Sequence, residues 1–300
     1  MSLASLNELN TAHGHILYKG HMKDKTSDRS YRTISSCPFM SKALDLYLRD
    51  IYQNQWNEIQ ASIQYQGSGS SHEIAALLTT EVIQYSHHIR KEPVYLLLLD
   101  AKSAFDRCLR QILVCELFKA GVEGDALKFI NNRLSNRLTV YEWNSELLGP
   151  SEDITGFEQG GINSSDYYKL YNNDQLKAAQ ASHLGVLMGI SHDDPTEPKK
   201  LIVSAIGQAD DVVLVSNDLG RLGLLAYLSE EYCRKYNVTL VPSKTNLLAF
   251  YPKGWPVNPD LISNVVVGKQ VISFSQEADH VGITRNTAGN LAHISNRISA

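Results

Sequence analysis

Gln208-Ala209-Asp210-Asp211 lies between the apolar stretches Leu201 to Ile206 and Val212 to Val215. Two apolar runs joined by a short polar link read as a β-hairpin. Adjacent carboxylates at its tip gain nothing from each other, because like charges repel. Such a tip asks for a positive partner. A second acid of the same kind stands earlier, where Val94-Tyr95-Leu96-Leu97-Leu98-Leu99 runs into Asp100. A continuous apolar run suits a strand buried on both faces, which delivers its last residue to the rim of a sheet. If strand and hairpin are neighbours, Asp100, Asp210 and Asp211 meet.

The physical use of such a meeting is to hold divalent metal. Mg²⁺ takes oxygen ligands, keeps several waters, and is held by one or two carboxylates together with substrate phosphates. Two such ions roughly 3.5 to 4 Å apart clamp the attacking and leaving oxygens of an in-line phosphoryl displacement. That chemistry is nucleotidyl transfer.

Other motifs keep company with these acids. Asp100-Ala101-Lys102-Ser103-Ala104-Phe105-Asp106 precedes Gly156-Phe157-Glu158-Gln159-Gly160-Gly161, which precedes Ala209-Asp210-Asp211 and then Pro242-Ser243-Lys244-Thr245. Tyr31-Arg32-Thr33-Ile34-Ser35 lies upstream, and His280-Val281-Gly282 near the end. In order and spacing, over roughly residues 16 to 285, these resemble the reverse transcriptases of non-LTR retrotransposons.

The resemblance implies an α+β fold with right-hand polymerase fingers and palm, an antiparallel palm sheet with helices on one face, and a thumb largely absent. It implies an N-terminal extension and fingers over 1–90, a palm over 91–250 with a fingers insertion around 110–150, and a primer-grip-like segment with the start of a thumb over 251–300. The implied reaction is RNA-directed addition of deoxynucleotides to a primer 3′-hydroxyl, with two Mg²⁺ ions, Mn²⁺ being the alternative ion. Its partners are an RNA template, a DNA primer and deoxynucleoside triphosphates. Asp100 and Asp210 would ligate both ions, Asp211 would assist, and the Ala101 carbonyl would complete one shell. Phe105 would stack under the sugar and clash with a ribose 2′-hydroxyl. Gln159 and Gly160 would wall the nucleotide pocket. Arg32 would neutralise triphosphate oxygens, and Lys244 would protonate the leaving pyrophosphate.

The chain departs from that pattern at several points. Gln208 stands where relatives have Tyr or Phe, and Glu158 where many have Arg. The Gln64-Tyr65-Gln66-Gly67 region lacks the Gly-Phe-Arg that relatives often carry. These departures keep a second function open, a catalytically inactive remnant that binds RNA or a protein partner. A third, an intron maturase or other two-metal nucleotidyl transferase, also stands. Duller readings remain beside the functional ones: Asp100 as a helix cap, Asp210 and Asp211 as turn acids, Phe105 as core, Lys244 as a solvated lysine. Asp106 reads as a cap or brace for the helix, and the pair in His192-Asp193-Asp194 as a turn.

Composition sets wider bounds. The 300 residues, 43% of them hydrophobic, suffice for a sizeable core. No apolar run approaches the eighteen or so residues of a membrane span, and Met1-Ser2-Leu3-Ala4-Ser5 lacks a basic region followed by an apolar one. A cytoplasmic or nuclear protein, neither secreted nor anchored, is expected, with reduced thiols at Cys37, Cys108, Cys115 and Cys233, which lack Cys-x-x-Cys spacing. The net charge of −4 is unusual for a chain that grips nucleic-acid phosphates. Lys19, Lys23, Lys25, Arg29 and Arg32 against Asp24 and Asp28 form a local excess of cations, or simply a solvated basic loop.

Periodicity predicts an opening polar stretch to about Arg32. An amphipathic helix follows through Met40, Ala43, Leu44, Leu46, Tyr47, Ile51 and Tyr52, and after a break at Gln66 to Ser71 another runs over Glu73 to Ile89. Further helices are predicted over Phe105 to Ala120, closed by Gly121, and over Asp125 to Leu134, Ser165 to Ala181 and 219–235. Ser191 to Lys200 reads as a polar turn and Val238 to Val241 as a returning strand.

Overall fold

The computed structural model describes residues 10–20, 24–27, 30–65, 72–102, 104–152, 155–158, 160–190, 199–258 and 261–287. Lys23, Asp28 and Arg29 of the basic stretch, the break at 66–71, Ser103, Gln159 and the 191–198 turn with its His192-Asp193-Asp194 lie outside them. Two compact units divide the chain. One comprises Met1–Gln60 with Ser103–Tyr171, the other Ala61–Lys102 with Asn172–Ala300.

Along the chain the elements are β1 (Thr11–Tyr18), β2 (Tyr31–Ser36), α1 (Phe39–Ile59), α2 (His72–Tyr85), β3 (Val94–Leu99), α3 (Ala104–Arg107), α4 (Arg110–Lys119) and α5 (Gly124–Ser135). Then come β4 (Leu138–Trp143), β5 (Glu146–Glu152), α6 (Ser164–Ala181), β6 (Val186–Ile190), β7 (Lys199–Val203), β8 (Ala205–Gln208), β9 (Asp211–Ser216) and α7 (Leu219–Lys235). The last are β10 (Asn246–Phe250) and the short pairs β11 (Val266–Val267) with β12 (Gln270–Val271), and β13 (Glu277–His280) with β14 (Ile283–Asn286).

The first unit carries a sheet of order β2-β1-β4-β5, antiparallel except for the parallel β1–β4 pair. The polar opening stretch therefore contains one strand, β1, and the start of a second, β2. β1 has few apolar residues to alternate, and what seats it is close approach: a Cβ on Gly14 would meet the Tyr141 ring at 2.5 Å.

Helix α1 has the predicted period in the opposite phase. Phe39, Met40, Leu46, Tyr47 and Ile51 are exposed, whereas Ser41, Asp45, Leu48 and Trp56 are buried. The buried face is chosen by an ion pair and by rings. The Arg133 guanidinium lies 2.7 Å from Asp45, and Trp56 meets Tyr167 edge-on with centroids 6.0 Å apart.

The single helix predicted over Phe105 to Ala120 is two, α3 and α4, interrupted at Cys108 and Leu109. Leu109 is extended (φ −79°, ψ 115°), and its N–H is bonded by the Tyr171 hydroxyl at 3.1 Å. The Cys108 carbonyl is turned away to accept the Gly156 N–H at 2.8 Å. A tertiary hydrogen bond thus replaces a helical one, at no net loss of partners. Gly121 closes α4 at φ +84° as expected.

The second unit is built on an all-antiparallel sheet of order β10-β3-β9-β8. Every residue of β3 is buried, as a central strand covered on both sides requires. Tyr95, Leu97 and Leu99 face a core with Leu176 and Ala179 of α6 and Leu222, Leu225 and Ala226 of α7. Val94, Leu96 and Leu98 face a second core with Ala75, Val82 and Ile83 of α2 and with Val186 and Val203 of the β6–β7 hairpin. The expected layer of helices on one face is that of α6 and α7, and the opposite face is covered as well, by α2. Each leucine, isoleucine and valine among them contributes about 1.5 to 3 kcal/mol of burial. The outer edge of β8 is closed by Ile63 to Tyr65, which exchange backbone hydrogen bonds with Gly207 at 2.8 and 2.9 Å. Val238 to Val241 contributes one bridge, Leu240 to Ala101, rather than a strand.

Candidate active site

Asp100, Asp211 and Lys244 are brought together by strand register. Leu99 pairs with Val212, so the next position across the antiparallel pair sets Asp100 beside Asp211. On the other flank Leu98 pairs with Asn246, so two residues further along Asp100 lies opposite Lys244. Directly opposed residues of an antiparallel pair have Cα atoms about 4.5 to 5.5 Å apart. The central strand thus ends between an acid and a base.

Lys244 Nζ is 3.6 Å from Asp100 Oδ2, with side-chain exposures of 68% and 37%. Val241 N–H holds the Asp100 carbonyl at 2.8 Å, and Lys102 N–H reaches the Thr239 carbonyl at 2.8 Å. Lys244 sits on a turn whose Thr245 N–H and hydroxyl both bond to the Val241 carbonyl. Ala101 is pinned by its bridge to Leu240. Asp210 occupies the β8–β9 hairpin tip after Ala209, whose φ of +56° gives the two-residue turn its required left-handed first residue. The Ala209 carbonyl accepts from the Asn172 amide at 3.3 Å.

The electrostatics are those of crowded acids. The Asp211 carboxyl is pushed up to about 6, first by desolvation, then by the charges of Asp210 and Asp100, against a smaller opposing effect of His72. Asp100 Oδ2 is buried and has no hydrogen-bond partner among the described residues, Lys244 Nζ standing 3.6 Å away. Among the described residues no three His, Cys, Asp or Glu side chains are grouped tightly enough to hold a metal ion by themselves. A buried carboxylate oxygen that accepts no hydrogen bond among the described residues, and mutual repulsion among three aspartates, fit a hard cation whose remaining ligands are water and phosphate. Asp100, Asp211, Lys244, Asp279, His280 and Gly282 help to line one cavity of about 260 Å³.

The remaining predicted contacts belong to the first unit. Arg32 is exposed on β2, paired with Leu17. Gly160 has φ +108°, and a Cβ there would meet the Ser35 carbonyl of the same strand at 3.0 Å, so only glycine lets this loop lie against β2. Phe105 is half-buried, stacked on Tyr168 at 4.5 Å and edge-on to Phe157 at 5.6 Å. Its ring is therefore held at fixed orientation.

Glu158 has cations for partners: Arg133 and Arg137 each lie 3.6 Å from Oε1, and the Cys37 thiol donates to it. With Asp45 these form a buried alternating network. Burial pushes the Asp45 carboxyl up to about 6 despite Arg133, and lifts Cys37 to about 12 with Glu158 adding to the effect. The sequence offers no local signal for this network, whose members come from four separate segments. Gln208, at the position where relatives place a ring, is buried with its side-chain oxygen unpartnered among the described residues.

Residues 22–283 match the family described as reverse transcriptase (RNA-dependent DNA polymerase). The chain belongs to that family. No curated protein matches it. Among solved structures it is similar to the telomerase of Candida tropicalis in complex with a TWJ fragment of telomeric RNA, with a TM-score of 0.63 and 12% identity over 97% of this chain and 46% of that one. Apo telomerase of Candida tropicalis gives 0.62 and 11%, over 97% and 50%. Telomerase of Candida albicans, also with a TWJ fragment of telomeric RNA, gives 0.54 and 12%, over 97% and 46%. At such identities the likeness is one of fold, and this chain spans about half the length of those it matches. The fold is that of a reverse transcriptase, mixed α+β with antiparallel sheets and helices in keeping with fingers and palm.

Proposed function

We propose that this chain is the fingers and palm of an RNA-directed DNA polymerase from a non-LTR retrotransposon, working in cytoplasm or nucleus. It adds deoxynucleotides to a primer 3′-hydroxyl on an RNA template. The observation that carries the reading is the register of the second sheet, which seats Asp100 between Asp211 and Lys244 at one cavity. Asp100, Asp210 and Asp211 are the residues that would hold Mg²⁺ or Mn²⁺, with the Ala101 carbonyl. Bound there, the ions supply Lewis-acid activation of the hydroxyl and neutralise phosphate charge.

The protein's own groups do the rest. Lys244, 3.6 Å from Asp100, protonates the departing pyrophosphate oxygen. Phe105, fixed by Tyr168 and Phe157, selects against a ribose 2′-hydroxyl. On this reading Gly160 and Gln159 would wall the nucleotide pocket, and Arg32 would meet the triphosphate. Primer extension on a poly-ribonucleotide template tests the proposal: incorporation that requires template, primer and divalent ion supports it, and its absence with correctly folded protein contradicts it.

A second reading, an inactive remnant that binds RNA or a protein partner, has one observation in its favour, the buried Gln208 with its unpartnered oxygen. Titration with Mn²⁺ separates the two. The polymerase binds ion and deoxynucleotide cooperatively, whereas the remnant does not.

A further inference from the structure

Arg285 is 3% exposed and has no ion-pair partner among the described residues. Its guanidinium donates to the Ala76 carbonyl at 2.9 Å and to the Thr80 hydroxyl at 3.3 Å, both on α2, and to His280 Nδ1 at 3.2 Å. Burial lowers the Arg285 pKa to about 10, which leaves it charged at neutral pH. A buried cation without a carboxylate is a costly arrangement. Neutral oxygens and one ring nitrogen satisfy it instead.

The consequence falls on His280. Arginine has donors and no acceptor, so a nitrogen that receives its hydrogen bond must carry a lone pair. His280 Nδ1 is therefore unprotonated, and the proton of the neutral ring sits on Nε2. Desolvation, with the Arg285 charge adding to it, drives the ring pKa down to about 3. The charged groups around it are Arg285 on β14, Asp279 on its own strand, whose carboxylate accepts from Thr284 at 2.6 Å, and Asp100, Asp211 and Lys244 across the shared cavity. On α2 the acceptors for Arg285 are the Ala76 carbonyl and the Thr80 hydroxyl.

A second feature marks the same hairpin. Its two-residue tip is Val281-Gly282, with φ of +46° and +79°. A β-branched residue in the left-handed region costs free energy and persists only where its surroundings enforce it. The Arg285 anchor to α2 is such an enforcement.

We infer that Arg285 is a positioning residue: it ties the β13–β14 hairpin to α2 and locks His280 as the Nε2–H tautomer, giving the cavity beside Asp100, Asp211 and Lys244 a neutral hydrogen-bond donor. The ligand such a donor suits is an acceptor oxygen, and on the polymerase reading above it is a sugar or phosphate oxygen of the strand end lying in the cavity. A neutral donor binds that oxygen without competing with divalent ions for the acids.

Two measurements test the inference. Long-range ¹H–¹⁵N spectra of the wild-type protein report the ring directly. Expected is an unprotonated Nδ1 and a protonated Nε2, unchanged between pH 5.5 and 8. A proton on Nδ1, or titration near the ordinary histidine value, overturns the lock. In Arg285→Met the bond that fixes the tautomer is gone, so Nδ1–H and Nε2–H forms should both appear, and a ring that stays wholly Nε2–H in the variant overturns the role of Arg285. The second measurement is fluorescence anisotropy with a labelled DNA primer annealed to an RNA template. Arg285→Met and His280→Phe should each raise Kd about fivefold, a factor equal to about 1 kcal/mol. Unchanged affinity in both, with the fold intact, overturns the donor role. If the wild type shows the Nε2–H tautomer but binds no duplex, the lock stands and the polymerase reading falls.

Discussion

Lys244 Nζ approaches Asp100 Oδ2 to 3.6 Å across the β10–β3 pair, while Asp211 faces the same Asp100 across the β3–β9 pair. One carboxylate at the end of one strand is thus placed between the base and the acid that give the site its character. Three consequences for the chemistry and stability of the site follow from this arrangement, and two more from the first unit.

Lys244 is two-thirds exposed, so its pairing with Asp100 contributes little to folding, at most about 1 kcal/mol. As a proton donor it is worth about 10² to 10⁴ in rate. Lys244→Gln should leave the thermal midpoint nearly unchanged and slow single-turnover extension by that factor. An equal loss in both would mark it as structural.

The raised Asp211 carboxyl gives a pH dependence of definite sign. The folded chain holds its proton up to about 6, against an ordinary value of 3.8. Between these values the folded state binds more protons than the unfolded one, so stability falls as pH rises from about 4 to 6. Asp211→Asn removes that contribution. In urea titrations of the metal-free protein at pH 4.5 and 6.5, the variant should lose less stability between the two than the wild type. Parallel losses contradict the crowding of acids inferred here.

Arg133 lies between Asp45 and Glu158, and all three are nearly buried. Removing the cation strands Asp45, while Glu158 keeps Arg137 at 3.6 Å. Arg133→Met should cost about 3 to 5 kcal/mol, read from the denaturant midpoint at unchanged slope.

Gly156 has φ +73°, and an added Cβ would meet the Phe105 carbonyl at 2.6 Å and Asp106 backbone at 2.7 Å. Backbone on both sides leaves little room to yield. Gly156→Ala should destabilise the chain by about 1 to 3 kcal/mol and weaken deoxynucleotide binding, since the glycine seats the loop that carries Gly160.

Much of the site was legible in the sequence because its parts are local. The apolar run Val94–Leu99, the acid hairpin and the helix over 219–235 each announce themselves within one short stretch of sequence. The rest depends on partners far along the chain. α1 turns its apolar stripe outward because Asp45 finds Arg133, 88 residues away, and no period in the sequence records that choice. α3 and α4 separate because Tyr171 and Gly156 take over hydrogen bonds at Leu109 and Cys108. β1 and β4 pair across more than a hundred residues through a glycine and a tyrosine rather than an apolar alternation. The Arg285–His280 contact is close in sequence but gains its meaning from α2, some two hundred residues earlier.

The most direct test of the account is single-turnover extension of a DNA primer on an RNA template by wild type, Asp100→Asn and Asp210→Asn, at saturating Mg²⁺ and deoxynucleotide. Retention of the fold is checked by circular dichroism. The account predicts template-dependent extension by the wild type and none measurable by either variant, since each removes a charge that no neighbour replaces. Extension by either variant at the wild-type rate would contradict it.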